Sequence, residues 1–118
     1  MLIYRWLAPL KPTKEQARMI FLSEDLSPRE ELLTLEEVYP EHRHPFDEVR
    51  MILDGEISMN ISGNQLLLRP GDKIMIPANT KHSQKVLSQG PCLCLVANRP
   101  FYKSIFEWVL LSFELVIF

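Results

Sequence analysis

The 118-residue chain is poor in the residues that mark several protein classes: it has two cysteines, four glycines and three histidines. Two thiols cannot build a disulfide framework. Cys92 and Cys94, two apart on a strand, would point to one face, a poor geometry for bridging each other. So few thiols suit a reducing compartment. Charge of one sign is also missing. Thirteen Lys and Arg against fifteen Asp and Glu give a formal charge of −2, without a run of five or six like charges. That balance lacks the basic footprint of a nucleic-acid binder, so no nucleic-acid partner is expected. No apolar run reaches the roughly eighteen residues a membrane helix needs. The first residues lack a secretory h-region and cleavage site, and a cytoplasmic location is the expectation. P-loop, nucleophile-elbow and dinucleotide fingerprints are all missing.

What is present suits one folded domain spanning 1–118: 47% of the residues are apolar and 24% charged, ordinary for a globule. Residues 12–28 form an expected helical segment, with the helix itself at 13–24. Thr13 and Gln16 make a capping box there, and Ala17, Ile20 and Phe21 give an apolar face. Short β-prone runs follow at 32–38, 48–53, 56–61, 65–69, 73–76, 82–87 and 92–97. Gly55, Gly63, Gly71 and Gly90 each fall between two of them, as turn residues do. Seven strands at this spacing predict an all-β antiparallel sandwich or barrel with its core at 32–97.

The tail, 101–118, is apolar and reads as a helix or strand. Lys103, Glu107 and Glu114 share a narrow stripe at helical spacing, which favours helix, whereas Phe, Trp, Val and Ile pull toward strand. Burial against the barrel or a second subunit is the plainer expectation. A membrane-surface helix would want a basic polar face, which is missing.

All three histidines lie in one pattern. His42-Arg43-His44-Pro45-Phe46-Asp47-Glu48 is followed by Gly55, and His82 closes a second run that begins at Gly71. On an extended strand, residues two apart share a face, so His42 and His44 can offer both rings to one ion. Glu48 opens the next strand with the same parity, and His82 arrives from a distant strand placed by the 77–81 turn. Singly, such signals also fit strand histidines and a solvated glutamate; jointly they predict a divalent-metal site. Three imidazoles and a carboxylate leave one or two coordination positions open.

These two runs, H-x-H-x-x-x-E-x6-G at 42–55 and G-x5-P-x-x-x-x-H at 71–82, resemble the signature motifs of the cupin superfamily. The chain departs from them at Glu36 and Asn79, where glycines are expected, and at Val86, where an asparagine is expected. Asparagine tolerates the left-handed conformation, so the change at Asn79 is mild. The resemblance implies a small jelly-roll-like β-barrel, often a homodimer, with His42, His44, Glu48 and His82 as metal ligands. It leaves the ion open among iron, manganese, zinc, nickel and cobalt.

Parity carries the reading from ligands to pocket. If Glu48 points inward, so do Arg50 and Ile52; if His82 does, so do Gln84 and Val86. Arg50 is the candidate catalytic residue, an inward cation that could hold a substrate carboxylate in a bidentate fork. Its alternative is an ion pair with Glu48, Asp47 or another carboxylate. Cys92 and Cys94 could be a soft ligand pair or a redox couple, but two sulfurs without a third suit buried strand cysteines better. Met51, Met59 and Met75 read as core fillers. Three functions fit: a metal-dependent oxygenase-type enzyme on a small anionic or chelating substrate, a non-catalytic small-molecule binding or sensor barrel, and a barrel stabilised by its metal. An isomerase or decarboxylase would also need a general base, and no inward candidate stands out.

Overall fold

The central strand is buried on both faces, and what covers each face defines the architecture. In the computed structural model, which describes residues 1–37 and 39–100, nine strands and one helix follow in the order β1 (Leu2–Tyr4), α1 (Lys14–Ser23), β2 (Arg29–Leu33), β3 (Tyr39–His42), β4 (Phe46–Asp54), β5 (Ile57–Ile61), β6 (Asn64–Leu68), β7 (Lys73–Ile76), β8 (His82–Val86) and β9 (Cys92–Pro100). They form a five-stranded sheet, β1-β7-β4-β9-β2, and a four-stranded sheet, β3-β8-β5-β6, with every pairing antiparallel. The two sheets form the expected antiparallel sandwich or barrel layout, and among the described residues no pairing joins them into a closed barrel. The apolar tail at 101–118 lies outside the described residues.

Between the sheets, Ile52, Ile74, Ile76, Cys92, Cys94 and Val96 of one layer meet Ile57, Met59, Ile61, Leu68 and Val86 of the other. The odd residues of β4 face the opposite way. Val49, Met51 and Leu53 pack with Leu95 and Ala97 against Ala17 and Phe21 of α1 and against Leu26. Phe21 is fully buried there, a burial that contributes roughly 1.5–3 kcal/mol. Thr13 caps the helix and forms the expected box with Gln16. β4 is thus covered on both faces, and Glu48, Arg50 and Ile52 turn to the face between the sheets, as parity predicts. A bulge after Ile52 ends the alternation and leaves Asp54 exposed. The β5–β6 hairpin turns on Ser62 and Gly63, both at positive φ (50° and 87°), the combination a two-residue type I′ turn requires.

An N-terminal clasp fastens the end of the sandwich where β6 turns into β7. Asp72 is 5% exposed. Its Oδ1 accepts from the Trp6 backbone N–H (3.0 Å), and its Oδ2 accepts from Arg5 Nη1 (2.7 Å) and the Arg69 N–H (3.0 Å). The Trp6 indole lies directly on Gly71, whose φ of +94° and crowded Cα leave no room for a side chain. Nearby, Lys73 pairs with Glu24 at the end of α1.

Three expectations are corrected. The second strand is Arg29–Leu33 and not 32–38: residues 34–37 bend away. β1 gave no sequence signal, because it becomes a strand only by pairing with β7, Ile3 opposite Ile74. His44 is not on a strand with His42. β3 ends at His42, and His44 sits in the connection to β4, before Pro45.

Candidate metal centre

Two loops and two strand ends build the site. His42 closes β3 and His82 opens β8, directly opposite one another in the register. The connection carrying His44 is held to the loop before His82 by two bonds: the Asn79 N–H donates to the His44 carbonyl (2.6 Å), and the Ala78 N–H donates to Asp47 Oδ1 (2.8 Å). Asn79 adopts φ of +59°, the left-handed conformation expected of it in place of glycine. Sequence alone offers Asp47 only as an ion-pair partner for Arg50. Its role as a loop clamp is legible only in three dimensions.

The three imidazoles converge. Ring centroids are 4.6 Å apart for His42 and His44, 4.3 Å for His42 and His82, and 5.1 Å for His44 and His82. One ligand nitrogen from each lies within 4.8 Å of the others. Three imidazole nitrogens gathered this closely would suit a single divalent ion. Tautomers favour this. His42 Nδ1 meets the Pro40 carbonyl (2.6 Å) and His82 Nδ1 meets the Thr80 carbonyl (2.8 Å). A carbonyl only accepts, so in the neutral rings the proton sits on Nδ1 and Nε2 presents a lone pair. Phe46 stacks on the His44 ring at 4.8 Å and 9° and fixes its plane.

Glu48 stands at the edge of this group. Its Oε1 is 3.8 Å from His44 Nε2, and its Oε2 is buried without a hydrogen-bond partner among the described residues. His82 Nε2 is buried and unpartnered as well. Two orphaned lone-pair atoms beside two further imidazoles match what a divalent cation would satisfy. Burial pushes the His44 imidazole below its ordinary pKa, and His42 and His82 push it further; the Glu48 carboxylate opposes them without prevailing. The ring is therefore neutral at pH 7, the form that ligates.

Arg50 points inward and is 2% exposed. Its Nη2 donates to Glu31 Oε1 (3.1 Å) and Glu48 Oε1 (3.5 Å), whereas Nε and Nη1 have no partner among the described residues. Burial alone would lower its pKa, but Glu48, Cys94 and Glu31 together raise it, so the guanidinium stays charged. The ion-pair alternative is thus what the geometry displays, with Glu31 as the further carboxylate beside Glu48. Cys92 and Cys94 are fully buried core residues, their sulfurs 3.8 Å apart. Their mutual hydrogen bond holds the Cys92 thiol protonated, with burial adding to it, and lowers Cys94, which Arg50 lowers further. Gln84 lies opposite Met59, hence on the inner face, and is half-buried.

A family model described as the cupin domain matches residues 30–98. The chain belongs to the cupin family. Among curated proteins, this cupin is similar to the acireductone dioxygenase of Leishmania major, at 33% identity over 82 residues, 65% of this chain and 23% of that protein. It is also similar to the acireductone dioxygenase of Bacillus licheniformis, at 45% identity over 47 residues, 36% of this chain and 26% of that protein. The aligned stretch spans about a quarter of either dioxygenase. Among solved structures, the DMSP lyase DddQ of Ruegeria pomeroyi superposes with a TM-score of 0.57 at 28% identity, over 64% of this chain and 39% of that one.

Proposed function

We propose that this cupin is a metal-dependent enzyme of the oxygenase type, acting on a small anionic or chelating substrate. His42, His44, His82 and Glu48 would hold the cation. The observation that carries the reading is the meeting of three imidazole nitrogens within 4.8 Å, beside the orphaned Glu48 Oε2 and His82 Nε2. A divalent ion bound there would supply Lewis-acid or one-electron chemistry at its open positions. The similarity to two acireductone dioxygenases favours oxygen chemistry on an acireductone-like substrate over mere ligand storage.

The chain's own residues would do three things. The Pro40 and Thr80 carbonyls orient two rings and fix their tautomers. Phe46 shields one face of His44 from water. Arg50 keeps Nη1 and Nε for an anionic substrate group. The adjacent nitrogen Nη2 is already engaged by two carboxylates, so a single hydrogen bond replaces the fork expected from sequence.

Elemental analysis of the purified protein, followed by an oxygen-electrode screen with acireductone, catechols, thiols and diketones, tests the reading. Stoichiometric metal that is lost in His82→Ala, together with substrate-dependent O₂ uptake, is the expected result. Tight ligand binding without turnover would instead establish a binding barrel, and unchanged metal in His82→Ala would refute the ligand set.

A further inference from the structure

Glu31 sits two strands away from the ligands, on the edge strand β2. It lies opposite Cys94 of β9, which itself lies opposite Ile52 of β4. That register turns Glu31 to the inner face, and the Arg50 side chain crosses β9 to meet it. A connected series therefore runs from the rim to the imidazoles: Glu31 Oε1 to Arg50 Nη2 at 3.1 Å, Arg50 Nη2 to Glu48 Oε1 at 3.5 Å, and Glu48 Oε1 to His44 Nε2 at 3.8 Å.

We propose that Glu31 is a positioning residue for the metal centre, drawing the Arg50 guanidinium aside so that Glu48 keeps a carboxylate oxygen free for a cation. The proposal rests on the metal reading above. A buried guanidinium next to a single carboxylate settles into a two-bond fork that engages both oxygens. Here it does not. Arg50 reaches Glu48 through one nitrogen and one oxygen, at the longer of its two distances, and Glu48 Oε2 is left buried and unpartnered. The nearer carboxylate, Glu31, accounts for that geometry. Charge points the same way. Arg50 and Glu31 neutralise each other, so the negative charge of Glu48 is left to meet a divalent ion. Without Glu31, Arg50 would compete with the ion for the same carboxylate.

Glu31 is partly exposed, its side chain at 31%, whereas Arg50 and Glu48 are at 3% and 6%. Because the Arg50 guanidinium is buried, a merely structural role predicts a lowered melting temperature with unaltered metal binding. A positioning role predicts a change in metal binding itself. Residues that orient metal ligands typically alter metal affinity by about 10- to 100-fold.

Co(II), titrated into the metal-free full chain and followed by its visible absorption bands, reads both affinity and ligand geometry. Glu31→Ala is expected to weaken Co(II) binding about tenfold and to change the band envelope, whatever the melting temperature of the metal-free protein does. Glu31→Gln keeps an acceptor for Nη2 without the charge and should fall between wild type and alanine; it also carries the test if the alanine variant fails to fold. Wild-type affinity and bands in Glu31→Gln and in any folded Glu31→Ala would overturn the proposal. So would a lowered melting temperature with an unaltered Co(II) titration. His82→Ala separates the two readings. Wild-type Co(II) binding there sinks the metal site itself. Loss of binding there, with Glu31 variants that titrate as wild type, sinks only the role of Glu31.

Discussion

The two ends of β4 are built on opposite principles. At the Asp54 end, the side chain of buried Asp72 is fully engaged: its two oxygens accept three N–H groups, from Arg5, Trp6 and Arg69. The backbone there is locked as well, with the Gly71 N–H donating to the Ile52 carbonyl (2.7 Å) and the Ile52 N–H donating to the Asp72 carbonyl (3.1 Å). At the Phe46 end, Glu48 Oε2, Arg50 Nε, Arg50 Nη1 and His82 Nε2 are all buried without partners, and no other buried side-chain atom among the described residues shares that state. A buried polar group left unpaired costs about 1–3 kcal/mol. One strand thus carries a satisfied end that holds the sandwich shut and an unsatisfied end that gains from a ligand. The difference marks the site more sharply than the identity of any single residue.

Breaking the satisfied end should have the largest effect. Alanine at position 71 must adopt a φ near +94° and drive its Cβ into the Trp6 indole, so the clasp has to open. Strain and displaced packing together predict a loss of about 3 kcal/mol in Gly71→Ala. For a domain of this size that is a drop of at least 10 °C or so in Tm. Calorimetry reads the stability, and a Co(II) titration of the remaining folded protein is expected to match wild type. A parallel loss of metal affinity would show that the two ends are not independent.

Simplifying the unsatisfied end should act in the opposite direction. His82→Leu keeps apolar bulk between the sheets and removes the orphaned Nε2, at the expense of the Nδ1 bond to Thr80. The metal-free protein is expected to gain about 1 kcal/mol, the difference between an unmet desolvation and one ordinary hydrogen bond. Stabilisation by added Co(II) or Zn(II), clear in wild type, should vanish. Denaturant melts with and without metal check both halves. A metal-free variant weaker than wild type by more than 1 kcal/mol would make His82 a packing residue first.

The two ends also differed in how much of them the sequence disclosed. The ligand end was legible because its signals are local. The H-x-H spacing, the parity of Glu48, Arg50 and Ile52, and the left-handed Asn79 each follow from a few neighbouring residues. The clasp was not, because Trp6 and Asp72 are sixty-six positions apart and Gly71 alone signals only a turn. Glu31 escaped for another reason. Arg29, Glu30 and Glu31 look like loop, yet an edge strand tolerates charged residues, and only its pairing with β9 turns Glu31 inward. His44 shows the limit of parity itself. Spacing gives it a strand face, whereas Pro45 and the bond from Asn79 hold it in a connection that still delivers the ring to the same point.

The smallest expected effect is a pH dependence confined to the ligand end. The His44 pKa is lowered, chiefly by burial, from an ordinary value of 6.5. When the pH falls below 6.5, the unfolded chain therefore takes up a proton that the folded chain resists. The unfolded state then binds more protons, and stability declines with falling pH until the folded-state pKa is passed, after which this contribution levels off. Above pH 6.5 the ring is neutral in both states and contributes no slope. Chemical denaturation of the metal-free protein at half-unit steps between pH 7.5 and about 5 should show a shallow decline that begins near 6.5. His44→Gln, which cannot titrate, should flatten that part of the curve, whereas Asp72→Asn at the far end should leave its slope below pH 6.5 in place. A wild-type slope retained in His44→Gln would assign the decline to other groups and remove the imidazole at position 44 from the balance between the two ends.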